Sequence, residues 1–274
     1  MKKIRRTVKR LLQIPYSKAE HDEISLQRVR TFAQFSDIAA NDKELSFLYA
    51  KSHKLHARLW PHSDLMVLEQ VMVREEYKTV TDFFKVNFPN EDVLNIVDAG
   101  ANVGYSSVFF LNEFPKARIA SIEPDEKNVV LLQRNLATFI DSQQARIFQN
   151  GLMSENGKNI VTSKDFRDGK DWSVRVEETE METGLTSLSV AGIMQQVGWD
   201  SIDILKIDIE GAERFVFDAG ADLDYLRLVK TLAIEIHDEF GIRELIYSQL
   251  KKHGFIIFNF AETTFGINRQ FLLK

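Results

Sequence analysis

The stretch VLNIVDAGANVGYSS at residues 93–107 decides how this chain is read. An apolar run, Val93, Leu94, Ile96 and Val97, ends in Asp98. Gly100, Asn102 and Gly104 follow, and from Tyr105 the pattern turns helical. A buried strand, a tight turn and a helix start thus come in direct succession. Glycine lacks a Cβ, so a ligand can approach the backbone closely there. Free N–H groups at the helix start can bind its polar atoms.

A second strand, 117–122, ends in Glu123. An acidic residue about 20 residues beyond such a turn lies beside a nucleoside ribose, and a carboxylate offers acceptors to both ribose hydroxyls. The glycine spacing then separates the nucleosides. Dinucleotide sites favour G-x-G-x-x-G, which seats a pyrophosphate on the helix. Here Asp98 precedes G-x-x-x-G, and an acid beside the turn repels pyrophosphate and attracts a cation. S-adenosylmethionine carries a sulfonium and an ammonium. The residues therefore predict a cofactor site at Asp98, Gly100, Asn102, Gly104 and Glu123.

Working outward, strand and helix alternate regularly. Strands are predicted at 145–149, 202–208 and 229–236, with helices at 104–114, 125–139, from 211 and at 239–252. Segments 254–260 and 264–271 read as a closing antiparallel hairpin. Alternating units of this kind imply a parallel sheet with helices on both faces. The exception is 150–200, too long for a crossover, which reads as a β-hairpin insertion (158–163 and 172–177) plus a helix near 188–197. Residues 1–90 lack strand alternation and are predicted to form a helical extension, with helices at 22–40 and 63–88. Leu65, Leu68, Val71 and Met72 form an apolar stripe that reads as core. The expected division is thus 1–90 and 91–274.

A second set of polar residues collects at strand ends. IDILKIDIEGAE (202–213) places Asp208, Glu210 and Glu213 after one strand, and Glu235 and His237 close the next. Two residues apart, Glu235 and His237 share a face. Ligands of open α/β sheets bind beyond the carboxyl ends of the strands. His237, Glu210, Asp208 and Glu235 are therefore the candidate catalytic residues. His237 suits a general base, because its reference pKa is about 6.5, with Glu210 or Glu235 orienting it. The plainer reading makes Glu213 a helix cap and His237 a brace. The carboxylates with His237 can also be drawn around a divalent cation, but their spacing is no recognised metal motif, and no metal is assigned.

Whole-chain properties narrow the class. The chain has 274 residues, 44% of them hydrophobic, with a net charge of −5 and no cysteine. There is no global field to favour nucleic acid, no disulfide framework and no thiolate chemistry. No signal peptide or spanning segment is read, so a cytoplasmic location is expected. Residues 1–14 carry six basic side chains and no acidic one, and form either a weak membrane-surface helix or a basic terminus.

The blocks VDAGANVGYSS (97–107), IEPDEKN (122–128), LKIDIEGAE (205–213) and IEIH (234–237) run in the order and spacing of a known family. The chain resembles the FkbM family of S-adenosylmethionine-dependent methyltransferases. The resemblance covers about 93–260 and is weaker at 64–77. It implies a class I methyltransferase (Rossmann-like) sheet of order 3-2-1-4-5-7-6 with strand 7 antiparallel. It implies methyl transfer, usually to an oxygen of a sugar, glycan or small metabolite. It leaves the first 90 residues and the 158–180 insertion to set the acceptor. The competing readings are an NAD-dependent oxidoreductase, which the glycine spacing opposes, and a nucleoside-binding module without turnover. A nucleic-acid methyltransferase is opposed by the lack of an N-P-P-Y-type tetrad and of a basic face.

Overall fold

The computed structural model describes residues 17–163, 175–218 and 220–272. The basic segment 1–14 and the tip of the expected hairpin insertion lie outside them. The chain divides into two compact units, Met1–Met66 and Val67–Lys274.

The first unit corrects the expectation of an all-helical extension. Among its described residues, helix Lys18–Val29 is opened by a capping box between Ser17 and Glu20. Three short strands follow, β1 (Phe35–Ala40), β2 (Glu44–Tyr49) and β3 (His53–Arg58), paired as an antiparallel sheet in that order. In β2 the alternation is clear in space: Leu45, Phe47 and Tyr49 are buried between less buried neighbours. Each strand has only six residues, and the Asp and Ala of β1, the Glu of β2 and the Lys and Ala of β3 disfavour strands. Sheet packing, not propensity, selects the strand there.

The second unit carries the βα repeat. The single helix expected over 63–88 is broken. A π-helical turn, Glu69–Val73, follows Leu68, and the helix resumes only at Lys78–Asn87. Such turns inside helices are rare and concentrate at functional sites. Leu68, Val71 and Met72 are buried, as the apolar stripe implied.

Seven strands form the central sheet: β4 (Asn95–Ala99), β5 (Arg118–Ile122), β6 (Ala145–Phe148), β11 (Ile202–Ile207), β12 (Val229–Glu235), β13 (Phe255–Phe260) and β14 (Thr263–Asn268). Their spatial order is β13-β14-β12-β11-β4-β5-β6. The five strands from β12 to β6 are mutually parallel, and β14 runs antiparallel to both neighbours. Parallel strands covered on both faces read as continuous apolar runs, and all six residues of β11 are buried. Val97, Leu205, Ile207, Leu232 and Ile234 join one core. Ile246 and Leu250 of helix Arg243–Lys252 pack into that core, while Leu245 of the same helix is exposed.

Between β6 and β11 the insertion holds short strands β7 (Gly151–Leu152), β8 (Ile160–Ser163), β9 (Arg175–Glu178) and β10 (Ser187–Leu188), then helix Val190–Val197. β8 and β9 pair antiparallel, and β7 pairs with β10 in parallel.

Candidate active site

Two turns at the carboxyl ends of β4 and β11 build the site by packing against each other. After β4, the N–H groups of Gly100 and Ala101 donate to the Ile122 carbonyl at 3.0 and 2.9 Å. Gly100 has φ +79°, and a Cβ there would lie 1.7 Å from the Asp208 carbonyl oxygen. Only glycine permits that approach. Asp208 in turn donates its N–H to the Ala99 carbonyl at 3.1 Å. Gly104, φ +93°, starts helix Tyr105–Glu113, and a Cβ there would meet the Leu132 side chain at 2.7 Å. Glu210 sits at φ +52°, a left-handed conformation uncommon for a side chain of its size. Strain of this kind persists where surrounding structure over-determines it, typically at ligand sites.

Asp98 does not have the role read from its position. It is fully buried and does not line the cavity. Ser106 and Ser107 donate to its Oδ2, each at 2.6 Å, and the Lys206 ammonium lies 3.1 Å from Oδ1. Its charge is neutralised inside the protein, so it orders the turn instead of facing a ligand. Lys206 also donates to the carbonyls of Gly100 at 2.8 Å and Ala99 at 3.2 Å. Burial alone would depress the Lys206 pKa, but Asp98 and Asp208 outweigh it and the group is held above its ordinary value.

A cavity of about 460 Å³ opens beyond these turns. Gly100, Asn102 and Glu123 line it, together with Ser106 and Asn128. Glu123 accepts from the N–H of Asn102 at 2.9 Å and of Asp125 at 3.0 Å, and from the Asn128 amide at 3.2 Å. Burial raises its pKa to about 7 against these donors. The Asn102 Oδ1 atom is buried and has no hydrogen-bond partner.

Asp208, Glu210 and Glu235 line the same cavity, as do Glu76 and Tyr77. The Tyr77 hydroxyl donates to Asp208 Oδ2 at 3.4 Å. Burial first, and Asp208 second, raise the Glu76 pKa to about 7. Glu235 is pushed to about 9 by burial and by Asp208. Glu76, Gln70 and Tyr77 were not read as site residues. They belong to the stretch taken for a plain helix, and the π-helical turn that brings Gln70 to the cavity has no sequence signature. The weak match at 64–77 was the one available signal.

His237 requires a correction. It is 1% exposed and lies outside the lining of the 460 Å³ cavity. Its Nδ1 is 2.9 Å from Glu213 Oε1, and its Nε2 is 3.4 Å from Glu210 and 3.7 Å from Glu235. Burial would lower its pKa, but the Glu210 and Glu213 carboxylates carry it to about 11. With no cation beside it, the ring is thus held towards its protonated form, which has no lone pair to accept a proton. Glu213 does cap its turn, lying 3.4 Å from the N–H groups of Ile209 and Gly211, and it also fixes the histidine ring.

A family model, the methyltransferase FkbM domain, matches residues 98–261. The chain belongs to this family. It is a family of S-adenosylmethionine-dependent methyltransferases, and the resemblance read from the sequence is borne out. Methyltransferase sdnD of Sordaria araneosa is 30% identical over 192 residues, covering 59% of this chain and 73% of that protein. 2-O-methyltransferase NoeI of Sinorhizobium fredii is 26% identical over 170 residues, covering 57% of this chain and 66% of that one. Among solved structures, precorrin-6y C5,15-methyltransferase of Geobacter metallireducens aligns with a TM-score of 0.39 at 13% identity, covering 69% of this chain and 86% of that one. Among the described residues no helix is long and apolar enough to cross a membrane.

Proposed function

We propose that this FkbM-family chain methylates a hydroxyl oxygen of a small molecule or glycan. The observation that carries the reading is one cavity lined both by the Gly100–Asn102 turn with Glu123 and by the acids Glu76, Asp208, Glu210 and Glu235. The relative NoeI, a 2-O-methyltransferase, supports an oxygen acceptor.

The residues fit S-adenosylmethionine. Gly100 leaves its backbone open, the unpartnered Asn102 Oδ1 offers an acceptor, and Glu123 retains an acceptor site on Oε2 for a ribose hydroxyl. Asp98 and Gly104 serve the same site indirectly, by shaping the turn. When bound, the cofactor supplies an electrophilic methyl on a sulfonium. Alignment of acceptor and methyl is worth effective molarities of about 10⁵ M or more. With that methyl supplied, a carboxylate of the acid wall would take the proton that the acceptor hydroxyl gives up. Glu76 is the member best matched to that task, since its proton affinity lies near neutral pH. Glu235, held protonated by burial and Asp208 while no cation is bound, donates instead to an acceptor oxygen.

Calorimetry tests the cofactor half. S-adenosylhomocysteine is expected to bind, and NAD to give no heat; the reverse result overturns the reading. A methyl-transfer assay on polyhydroxylated acceptors tests the other half, and transfer to nitrogen or carbon alone would refute the oxygen assignment.

Glu123 gives a sharper expectation. Ribose hydroxyls donate to its ionised form, so binding and protonation compete. With a pKa of about 7 in the free protein, S-adenosylhomocysteine affinity should be level above pH 7 and fall roughly tenfold per unit below it. Glu123→Ala should lose about tenfold to a hundredfold in affinity at high pH, because charge-assisted hydrogen bonds are worth roughly 1.5–3 kcal/mol. The pH slope should vanish with the carboxylate. A folded variant with wild-type affinity would remove Glu123 from the ribose site.

A further inference from the structure

The ends of β11 and β12 bring together a mixed set of donor atoms. One ligand atom each from Asp208, Glu235 and His237 lies within 4.8 Å of the others. Metal–ligand bonds of about 2.0–2.3 Å place neighbouring ligands of one cation roughly 3–4.6 Å apart, so a single ion can reach all three with small side-chain shifts.

Acids alone would not make a site, and the histidine adds a separate observation. His237 is 1% exposed, and its Nε2 is buried with no hydrogen-bond partner. That atom lies 3.4 Å from Glu210 and 3.7 Å from Glu235, in the same cluster as Asp208. Behind the ring, Nδ1 sits 2.9 Å from Glu213 Oε1, and Glu213 is fully buried. A buried carboxylate on one imidazole nitrogen, with the other nitrogen aimed at two further carboxylates, is the brace that orients metal-bound histidines.

We propose that Asp208, Glu235 and His237 form a divalent-cation site of two oxygens and one nitrogen, with Glu213 as the positioning residue behind the histidine. The imidazole ligand favours a first-row ion such as Mn²⁺ over Mg²⁺ or Ca²⁺, which prefer oxygen alone. Three protein ligands leave positions open towards the cavity, which Asp208 and Glu235 also line. A cation there offsets the acid wall and draws an acceptor oxygen to it. That catalytic consequence rests on the oxygen-methylation reading; the cation site itself does not. Cation and proton compete for Nε2 and for the Glu235 carboxylate, so binding should tighten as pH rises.

The test uses the full chain, stripped with chelator and titrated with Mn²⁺ under electron paramagnetic resonance. Saturable binding of one ion is expected, with a ¹⁴N coupling from one imidazole in the spin-echo modulation. His237→Gln should abolish that coupling and weaken binding at least tenfold. Glu213→Gln should weaken it roughly tenfold to a hundredfold, the range for outer-shell partners of metal-bound histidine. S-adenosylhomocysteine affinity is measured in parallel. No saturable Mn²⁺ binding in a wild-type protein that binds S-adenosylhomocysteine overturns the cation site and spares the functional reading. Saturable binding without the ¹⁴N signal also overturns it. Mn²⁺ binding without S-adenosylhomocysteine binding would sustain the site and defeat the cofactor assignment. Should His237→Gln fail to fold, the wild-type ¹⁴N signal still decides.

Discussion

Lys206→Met is expected to cost about 3–5 kcal/mol of folding stability, the usual range when one partner of a buried ion pair is removed. Lys206 is 2% exposed and Asp98 is fully buried. The ammonium lies 3.1 Å from Asp98 and donates to the carbonyls of Ala99 and Gly100. Methionine fills a similar volume, so the loss is electrostatic and not a cavity. It leaves the Asp98 carboxylate with only the Ser106 and Ser107 hydroxyls. The turn that carries Gly100 and Asn102 should loosen with it, so cofactor affinity should fall together with stability. Urea unfolding gives the first quantity and calorimetry the second. The double variant with Asp98→Asn should recover much of the loss, because replacing both charges of a buried pair is often nearly neutral. A single-variant loss under about 1 kcal/mol would place the pair among weak, solvated ones.

Glu76→Gln should lower kcat by roughly 10²–10⁴-fold, the contribution of a positioned general base. The amide keeps the shape and removes the proton acceptor. The groups that set the Glu76 pKa of about 7 are Asp208 and Glu262, which raise it, and Lys206 and Gln70, which lower it, all against a background of burial. The wild-type rate should therefore rise with pH through about 7, since only the ionised carboxylate accepts the hydroxyl proton. The variant should lose that rise. S-adenosylhomocysteine affinity should hold, because the carboxylate proposed to meet the ribose is Glu123. A Glu76→Gln protein with wild-type turnover and pH profile would return the base to Asp208 or Glu210.

The π-helical turn that brings Gln70 to this cavity shows where a sequence stops being informative. Leu68, Val71 and Met72 kept the helical stripe that was read, and all three are buried. The stripe carries no trace of the extra residue in the turn, because one widened hydrogen-bond ring barely alters the spacing of apolar side chains. The strands β1 to β3 were missed for a related reason. Six residues of alternation are too few to outweigh helix-forming composition until pairing with neighbours adds its hydrogen bonds and buried face.

What the sequence by itself determined is local. The glycines at 100 and 104, the apolar runs of the parallel strands, and the acids closing them are written within a few residues, because a buried strand and a tight turn each impose their demands at short range. These features located the glycine turn, the carboxyl-end cluster and the family. Only the tertiary structure decided which charges meet. Lys206 reaches Asp98 across adjacent strands and takes it out of the ligand site. Glu210 and Glu213 close on His237 and hold towards its protonated form the residue that looked most like a base. Proton affinity depends on burial and on neighbouring charge over a few ångströms, and neither quantity exists until the fold brings together residues far apart in the chain.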